Sequence, residues 1–373
     1  MLFCVFSVLL VSMSTCVFTS CEPLSVPPLI DISILLNTEN AIISPEEVKI
    51  VQDSIGQACR TWGFFQVINH GLSLSELQDM QNMMSLFFNL PQEVKHAINV
   101  SRNNSRGYNG KELTKQKVDM KELFDVGHKP HPNLPDNHPF NRVIDGFNQW
   151  PPEEDLPGFR QVVESFYAKC SHLAQILMGA IAEDLNIPSS FFDEAFDSHT
   201  SFLRLNYYPV QEAADSSDAA AMGVSRHTDA GGLTILMQDF EGVSGLEVYS
   251  GSKEDNSDGR WVAVTPVSGA LTINTGDMLQ VWSNDVYKAP EHRVLPSLHQ
   301  SRYSAPFFYN PNYATVIKPS IPSTMSHPTS MLYRPISWET FRKNRFLGDF
   351  ENKGIETQID DYKTGSSTTR EDL

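Results

Sequence analysis

Between residues 201 and 309 the chain consists of short apolar runs broken by Gly, Asn, Asp and Pro, and this texture constrains the fold more than any other feature. The runs are Ser201–Tyr208, Leu233–Met237, Leu246–Tyr249, Trp261–Thr265, Ala270–Asn274, Met278–Trp282, His292–Leu295 and Tyr303–Tyr309. Eight short strands at this density predict a sandwich or a jelly roll. Two polar, acidic stretches, Gln211–Ala221 and Ser250–Gly259, read as surface loops inserted between them.

Upstream the pattern is mixed. Pro28–Ser33 reads as a short strand, and Val48, Val51, Ile55 and Cys59 recur at helical spacing after Ser44-Pro45, a plausible helix start. Trp62–Asn69 is aromatic and β-branched and closes in a turn at His70-Gly71. A second helical pattern (Leu74, Leu77, Met80, Met84, Phe87) stops near Pro91, and residues 103–152 are turn-rich. The strongest helix runs from Phe159 to Leu185, with an apolar stripe that must pack on something, and Pro188 ends it. A last helix begins near Ser337 with Trp338, Phe341 and Phe346, followed by a polar tail after about Tyr362. The expected class is mainly β with flanking helices (α+β): an N-terminal helix and strand extension, a β-barrel, and a C-terminal helical cap. Its segments are a leader (1–26), an N-terminal region (27–150), a supporting helix (151–197), a core (198–312), a cap (313–362) and a tail (363–373).

Composition narrows the function. With 45 acidic against 28 basic residues the formal charge is -17, a surface that repels a phosphate backbone and argues against nucleic acid. No segment has the eighteen or so uninterrupted apolar residues of a membrane span. Five cysteines, three of them in the first 21 positions, make no disulfide framework and no C-x-x-C pair, so a reducing compartment is the natural reading. Met1–Val11 resembles the apolar part of a signal peptide, but no Lys or Arg precedes Lys49, and Met13 offers a second start. A cytoplasmic protein with a superfluous leader is the expectation; secretion into an endomembrane or extracellular space is the alternative. The sequons at Asn99 and Asn103 are too short a pattern to decide it.

His227-Thr-Asp229 is the first candidate for chemistry, because residues two apart on a strand project from one face. Alone it means little: eleven His and 45 acids in 373 residues give about one H-x-[DE] triplet by chance. His292, in a later run of the same β-rich region, changes the balance. Two imidazoles and one carboxylate on facing strands are the facial triad used for non-haem Fe(II); zinc prefers four ligands, often thiolates, and no cysteine lies in this region. Ten residues on, Arg302-Tyr-Ser304 places a guanidinium and a hydroxyl on one strand face, the chemistry of a carboxylate clamp. An unpaired buried charge is expensive, so Arg302 calls for an anionic ligand.

The ordered set His227-Thr-Asp229, His292 and Arg302-Tyr-Ser304 resembles the H-x-D…H…R-x-S signature of Fe(II)/2-oxoglutarate-dependent dioxygenases. Flanking motifs are similar to the isopenicillin N synthase-like branch: Asn206-Tyr-Tyr-Pro209, His227–Leu236, Gly245-Leu-Glu-Val248, Asn274-Thr-Gly-Asp277 and Trp282-Ser-Asn284. Pro28-Leu-Ile-Asp31, Trp62-Gly-Phe-Phe65 and Asn69-His-Gly71 match as well, and Arg106-Gly-Tyr108 and Lys121-Glu122 more weakly, so the resemblance covers roughly residues 27 to 350. It implies a double-stranded β-helix (jelly roll) core. It further implies that His227, Asp229 and His292 bind Fe(II), that Arg302 and Ser304 hold the distal carboxylate of 2-oxoglutarate, and that Asn206 and Tyr208 contact it. The reactants are then Fe(II), 2-oxoglutarate and O2, with ascorbate an optional addition. The reaction hydroxylates, desaturates or cyclises a small organic metabolite and releases succinate and CO2. A 2-oxoglutarate-independent oxidase of the isopenicillin N synthase type, or a non-catalytic metal-binding jelly roll, are the alternatives.

Other residues take structural readings. His70 closes a turn, Asp277 makes a turn bond, Trp62, Phe64 and Phe65 pack in the core, and His128, His131 and His138 lie in a solvated loop. One of Phe307 and Phe308 is expected to face a substrate cavity.

Overall fold

The computed structural model describes residues 26–36, 44–101, 104–110, 113–114, 117–118, 120–127, 146–210, 222–239, 245–251, 259–320, 331–350 and 357–365. The leader before Val26, Asn103, His128, His131, His138, the Gln211–Ala221 insert, most of the Ser250–Gly259 insert and the end of the tail lie outside these residues.

Strand β1 (Leu29–Asp31) leads through a single helical turn, α1 (Ser33–Leu36), to α2 (Pro45–Thr61), and β2 (Phe64–Ile68) follows. Ser44 caps α2 with Pro45 at the first helical position, as the sequence predicted. Helix α3 (Leu74–Phe88) starts with a reciprocal capping box between Ser73 and Glu76 and is followed by the short α4 (Gln92–Ala97). The stretch read as turn-rich contains β3 (Gly107–Asn109), β4 (Leu113–Thr114), β5 (Lys117–Val118) and β6 (Glu122–Gly127). Polar side chains on β3 and β6 hid their alternation. Helix α5 (Phe159–Asp184) is the predicted long helix, and its stripe packs against α2, α3 and the main sheet.

The remaining elements are α6 (Asp193–Phe196), β7 (Phe202–Tyr208), β8 (Val224–His227), β9 (Leu233–Gln238), β10 (Leu246–Tyr249), β11 (Trp261–Ala263) and β12 (Leu271–Thr275). They continue with α7 (Asp277–Trp282), β13 (His292–Val294), β14 (Arg302–Tyr309), β15 (Val316–Ile317), β16 (Ile336–Ser337) and α8 (Trp338–Phe350). An eight-stranded sheet in the order β1-β2-β12-β9-β14-β7-β6-β3 faces a four-stranded sheet, β11-β10-β13-β8. This is the predicted jelly roll. The N-terminal region supplies four strands of the larger sheet, so it is built into the barrel rather than appended to it.

Two expectations need correction. Val224–His227, missing from the eight runs, is a further strand, so His227 does lie on a strand as its pairing with Asp229 assumes. Met278–Trp282 is a helix, because all six residues of α7 are buried and an apolar run without alternation cannot separate buried strand from buried helix. The first backbone N–H groups of α7 have no intrahelical acceptor, and they find one in the turn after β8. The amides of Gly276, Asp277 and Met278 donate to the carbonyls of Gly232, Asp229 and Gly231 at 2.9, 2.7 and 3.0 Å. That docking fixes the turn on which Asp229 sits.

Candidate functional site

Between the two sheets lies a cavity of about 410 Å3 whose walls include His227, Asp229, His292, Arg302, Ser304, Asn206 and Tyr208, all seven of the candidate residues. His227 ends β8 and pairs directly with His292 of β13 in antiparallel register, their ring centroids 4.2 Å apart. The histidines therefore sit on neighbouring strands of one sheet, not on facing strands. Asp229 is not on the strand either: it lies in the turn beyond β8, and the bend returns its carboxylate towards both imidazoles. Asp229 Oδ1 is 3.6 Å from His227 Nε2 and 3.7 Å from His292 Nε2, and the three donor atoms lie within 4.8 Å of one another.

Each donor is oriented by a second contact. Nδ1 of His227 faces the Ser225 carbonyl at 2.8 Å and Nδ1 of His292 faces the Pro290 carbonyl at 3.1 Å. A carbonyl only accepts, so Nδ1 carries the proton on both rings and Nε2 presents its lone pair. Burial, reinforced by the neighbouring His292, holds the His227 imidazole well below its ordinary pKa and keeps it neutral. Thr234 and Asn274 donate to Asp229 Oδ2 at 2.5 and 2.7 Å, leaving Oδ1 to face the imidazoles. Burial pushes the Asp229 carboxyl up, but the two imidazoles and these hydrogen bonds outweigh it and keep it ionised. Two imidazoles that turn Nε2 towards one carboxylate suit a divalent iron with open coordination positions.

The four residues expected to form a clamp lie along β14 and β7, where Arg302 pairs with Tyr208 and Ser304 with Asn206. Asn206 Nδ2 donates to Ser304 Oγ at 3.2 Å, and the Arg302 guanidinium lies 4.3 Å from the Tyr208 ring centroid. Arg302 is only 3% exposed, yet its Nη2 has no hydrogen-bond partner among the described residues. Gly245 makes room for this group, since a Cβ there would come within 3.0 Å of the guanidinium carbon. A buried guanidinium nitrogen facing a cavity with a donor to spare fits a carboxylate ligand.

The structural readings mostly hold. His70 accepts from the Leu72 amide at Nδ1 (3.3 Å), so its Nε2–H donates to the Gly269 carbonyl at 2.9 Å. Of the two phenylalanines, Phe308 lines the cavity while Phe307 is in the core. Asp277 does more than close a turn. Its carboxylate is fully buried, 3.6 Å from Arg345 Nη1, and burial, opposed by Arg345, pushes its pKa up to about 6. Sequence reasoning gave no role to Thr234, Asn274 or Arg345; the first two stand inside quoted motifs, but nothing in the sequence signals Arg345.

Two sequence profiles match the chain: a non-haem dioxygenase in morphine synthesis N-terminal region over residues 27–153, and the 2OG-Fe(II) oxygenase superfamily over residues 199–311. Jasmonate-induced oxygenase 2 of Arabidopsis thaliana is 32% identical over 322 residues, 84% of this chain and 78% of that protein. The crystal structure of a full-length Neurospora crassa protein in complex with alpha-KG and thymine superposes with a TM-score of 0.73 at 27% identity, covering 86% of this chain and 96% of the Neurospora chain. JOX2 in complex with 2OG, Fe and JA superposes with a TM-score of 0.65 at 30% identity over 86% of each chain.

Proposed function

The chain belongs to the 2OG-Fe(II) oxygenase superfamily, and on that premise we propose that His227, Asp229 and His292 hold its iron while Arg302, Ser304, Asn206 and Tyr208 hold its 2-oxoglutarate. The substrate is a small organic metabolite taken into the same cavity. The observation that carries this reading is the coexistence in one cavity of three convergent donor atoms and a buried guanidinium with a donor to spare.

When bound, Fe(II) and 2-oxoglutarate supply the oxidising power: O2 is consumed, 2-oxoglutarate leaves as succinate and CO2, and the substrate is oxidised at carbon. The protein's part is placement. Ser225 and Pro290 fix the imidazole tautomers through their carbonyls, and Thr234 and Asn274 turn one oxygen of Asp229 towards the histidines. Arg302 pairs with the distal carboxylate while Ser304 donates a further hydrogen bond. Phe64, Val224, Leu246 and Val294 line the same cavity and keep water from the reacting centre.

The test uses purified protein with Fe(II), 2-oxoglutarate and a metabolite panel, reading succinate release and, anaerobically, calorimetric binding of 2-oxoglutarate. Iron-dependent 2-oxoglutarate binding with succinate formation supports the reading. Oxygen uptake without succinate points instead to an oxidase drawing all its electrons from substrate.

A further inference from the structure

Residues 283–291 join α7 to β13 and deliver His292 to the cavity. They belong to no helix or strand, so side chains have to fix their path. The path starts in a turn where Asn284 and Asp285 both sit in the left-handed region, with φ of 50° and 67°. A residue with a Cβ keeps that conformation only where its surroundings hold it. Here the C-terminal region does so. Asn284 Oδ1 accepts from the Leu332 amide at 2.9 Å, and Asp285 Oδ1 accepts from the Tyr333 hydroxyl.

Gln280 ties this segment to the helix. It is 7% exposed on α7; its Oε1 accepts from the Ala289 amide at 2.8 Å, and its Nε2 donates to Tyr333 Oη at 2.6 Å. The chemistry of the groups forces that order. A backbone amide only donates, so the Gln280 oxygen faces Ala289. Its nitrogen then faces Tyr333, whose own proton goes to the Asp285 carboxylate. The side-chain amide is matched at both ends, so turning it over would break two buried hydrogen bonds at once.

The relay ends beside a candidate metal ligand. Ala289 precedes Pro290, whose carbonyl faces His292 Nδ1 at 3.1 Å. Pro290 has no N–H of its own and its ring fixes φ, so the Ala289 amide is the nearest upstream donor that can anchor that carbonyl. Thr275 Oγ1 donates to the Lys288 carbonyl at 3.0 Å, and Gly63 leaves room for the proline ring, since a Cβ there would fall 2.7 Å from Pro290 Cδ. Downstream, the Tyr249 amide donates to the Glu291 carbonyl at 2.9 Å. One six-residue helix thus braces two of the three donors of the triad. The first amides of α7 hold the turn of Asp229, and the Gln280 side chain holds the approach to His292.

We propose that Gln280 is a positioning residue for the metal site, holding the Pro290 carbonyl where it orients the His292 imidazole. This rests on the assignment of His292 to iron. The test uses the full chain, isotopically labelled at histidine and kept metal-free, in which NMR reads the hydrogen-bonded Nδ1 proton of His292; its signal is identified by its absence from His292→Ala. Fe(II) affinity is read by calorimetric titration under argon. Gln280→Met, close in length but without the amide, should lose or broaden that signal and hold Fe(II) about ten-fold or more weakly. The Nδ1 proton of His227, set by the Ser225 carbonyl, should stay as it is. A merely structural role would lower Tm and leave both readings alone, so an unchanged His292 signal or an unchanged Fe(II) affinity in folded Gln280→Met overturns the proposal. Should that variant fail to fold, Tyr333→Phe, which keeps Gln280 and removes the acceptor of its Nε2, is read the same way; smaller losses are expected, and no loss in either reading overturns the proposal. His292→Ala binding Fe(II) as tightly as the unmodified protein would instead overturn the ligand assignment, so the two failures are read separately.

Discussion

Arg345 Nη2 donates to the carbonyl of Thr228 across 2.8 Å, so a side chain from the C-terminal helix holds the peptide that joins His227 to Asp229. The same guanidinium faces Asp277 Oδ2 at 3.6 Å and the Thr357 carbonyl at 3.3 Å. The helical cap is therefore part of the support of the turn that carries Asp229.

Arg345→Met removes the Thr228 bond and strands the Asp277 carboxylate in the core. Breaking a buried ion pair costs about 3–5 kcal/mol, and loss of a contact behind a metal ligand lowers metal affinity by about 10–100-fold. Thermal unfolding and Fe(II) titration should both register the loss. Adding Asp277→Asn should restore part of the stability, since the stranded charge is gone; a double variant no more stable than Arg345→Met would refute the pairing.

His227→Ala should abolish turnover and iron binding together, because no other described residue offers a third donor atom within the triad. Metal analysis after dialysis against Fe(II), beside succinate release, checks both. Retained stoichiometric iron would contradict the ligand assignment.

Arg302→Ala should act mainly on cosubstrate affinity. A charge-assisted hydrogen bond is worth about 1.5–3 kcal/mol, so the 2-oxoglutarate Kd should rise by about 10–100-fold with iron binding intact. Arg302→Lys should recover little of this, since an ammonium cannot form the planar fork. The measurement is calorimetric titration under argon.

Thr234→Val deletes one of the two hydrogen bonds to Asp229 Oδ2 at nearly constant volume. Freed on that side, the carboxylate should hold iron about 10–100-fold more weakly while the fold is kept. An unchanged iron affinity would show that Asn274 suffices.

Acid stability has a source far from the site. Lys169, together with the backbone and hydroxyl of Ser73, lowers the Glu76 carboxyl to about 2, against 4.5 for the free group. A depressed carboxyl adds stability above its unfolded pKa and loses it as pH falls through the folded value. Wild type should therefore have a higher Tm than Glu76→Gln at pH 6, and the gap should close between pH 4.5 and pH 2. A gap that persists at the acid end would mean that shape, not charge, carries the cap.

Much of the fold was legible because local rules and tertiary outcome agree. Ser44-Pro45 starts a helix wherever it lies, and the stripe from Phe159 to Leu185 must be buried whatever it meets. The same local reasoning failed at Met278–Trp282, where burial on every side erased the periodicity that separates helix from strand. It failed also at β3, β6 and β8, whose polar residues break the apolar alternation.

The residue types and order of the triad and the clamp were set by the sequence alone, since donor chemistry belongs to the side chain wherever it is placed. Their convergence was not. Asp229 reaches the histidines from a turn held by the amides of α7, and Arg106, Arg204 and Arg342 meet at Phe202 from three separate stretches of the chain. Contacts between distant positions depend on how the sheets, α7 and α8 pack together, and nothing in the local pattern of a single chain encodes that packing.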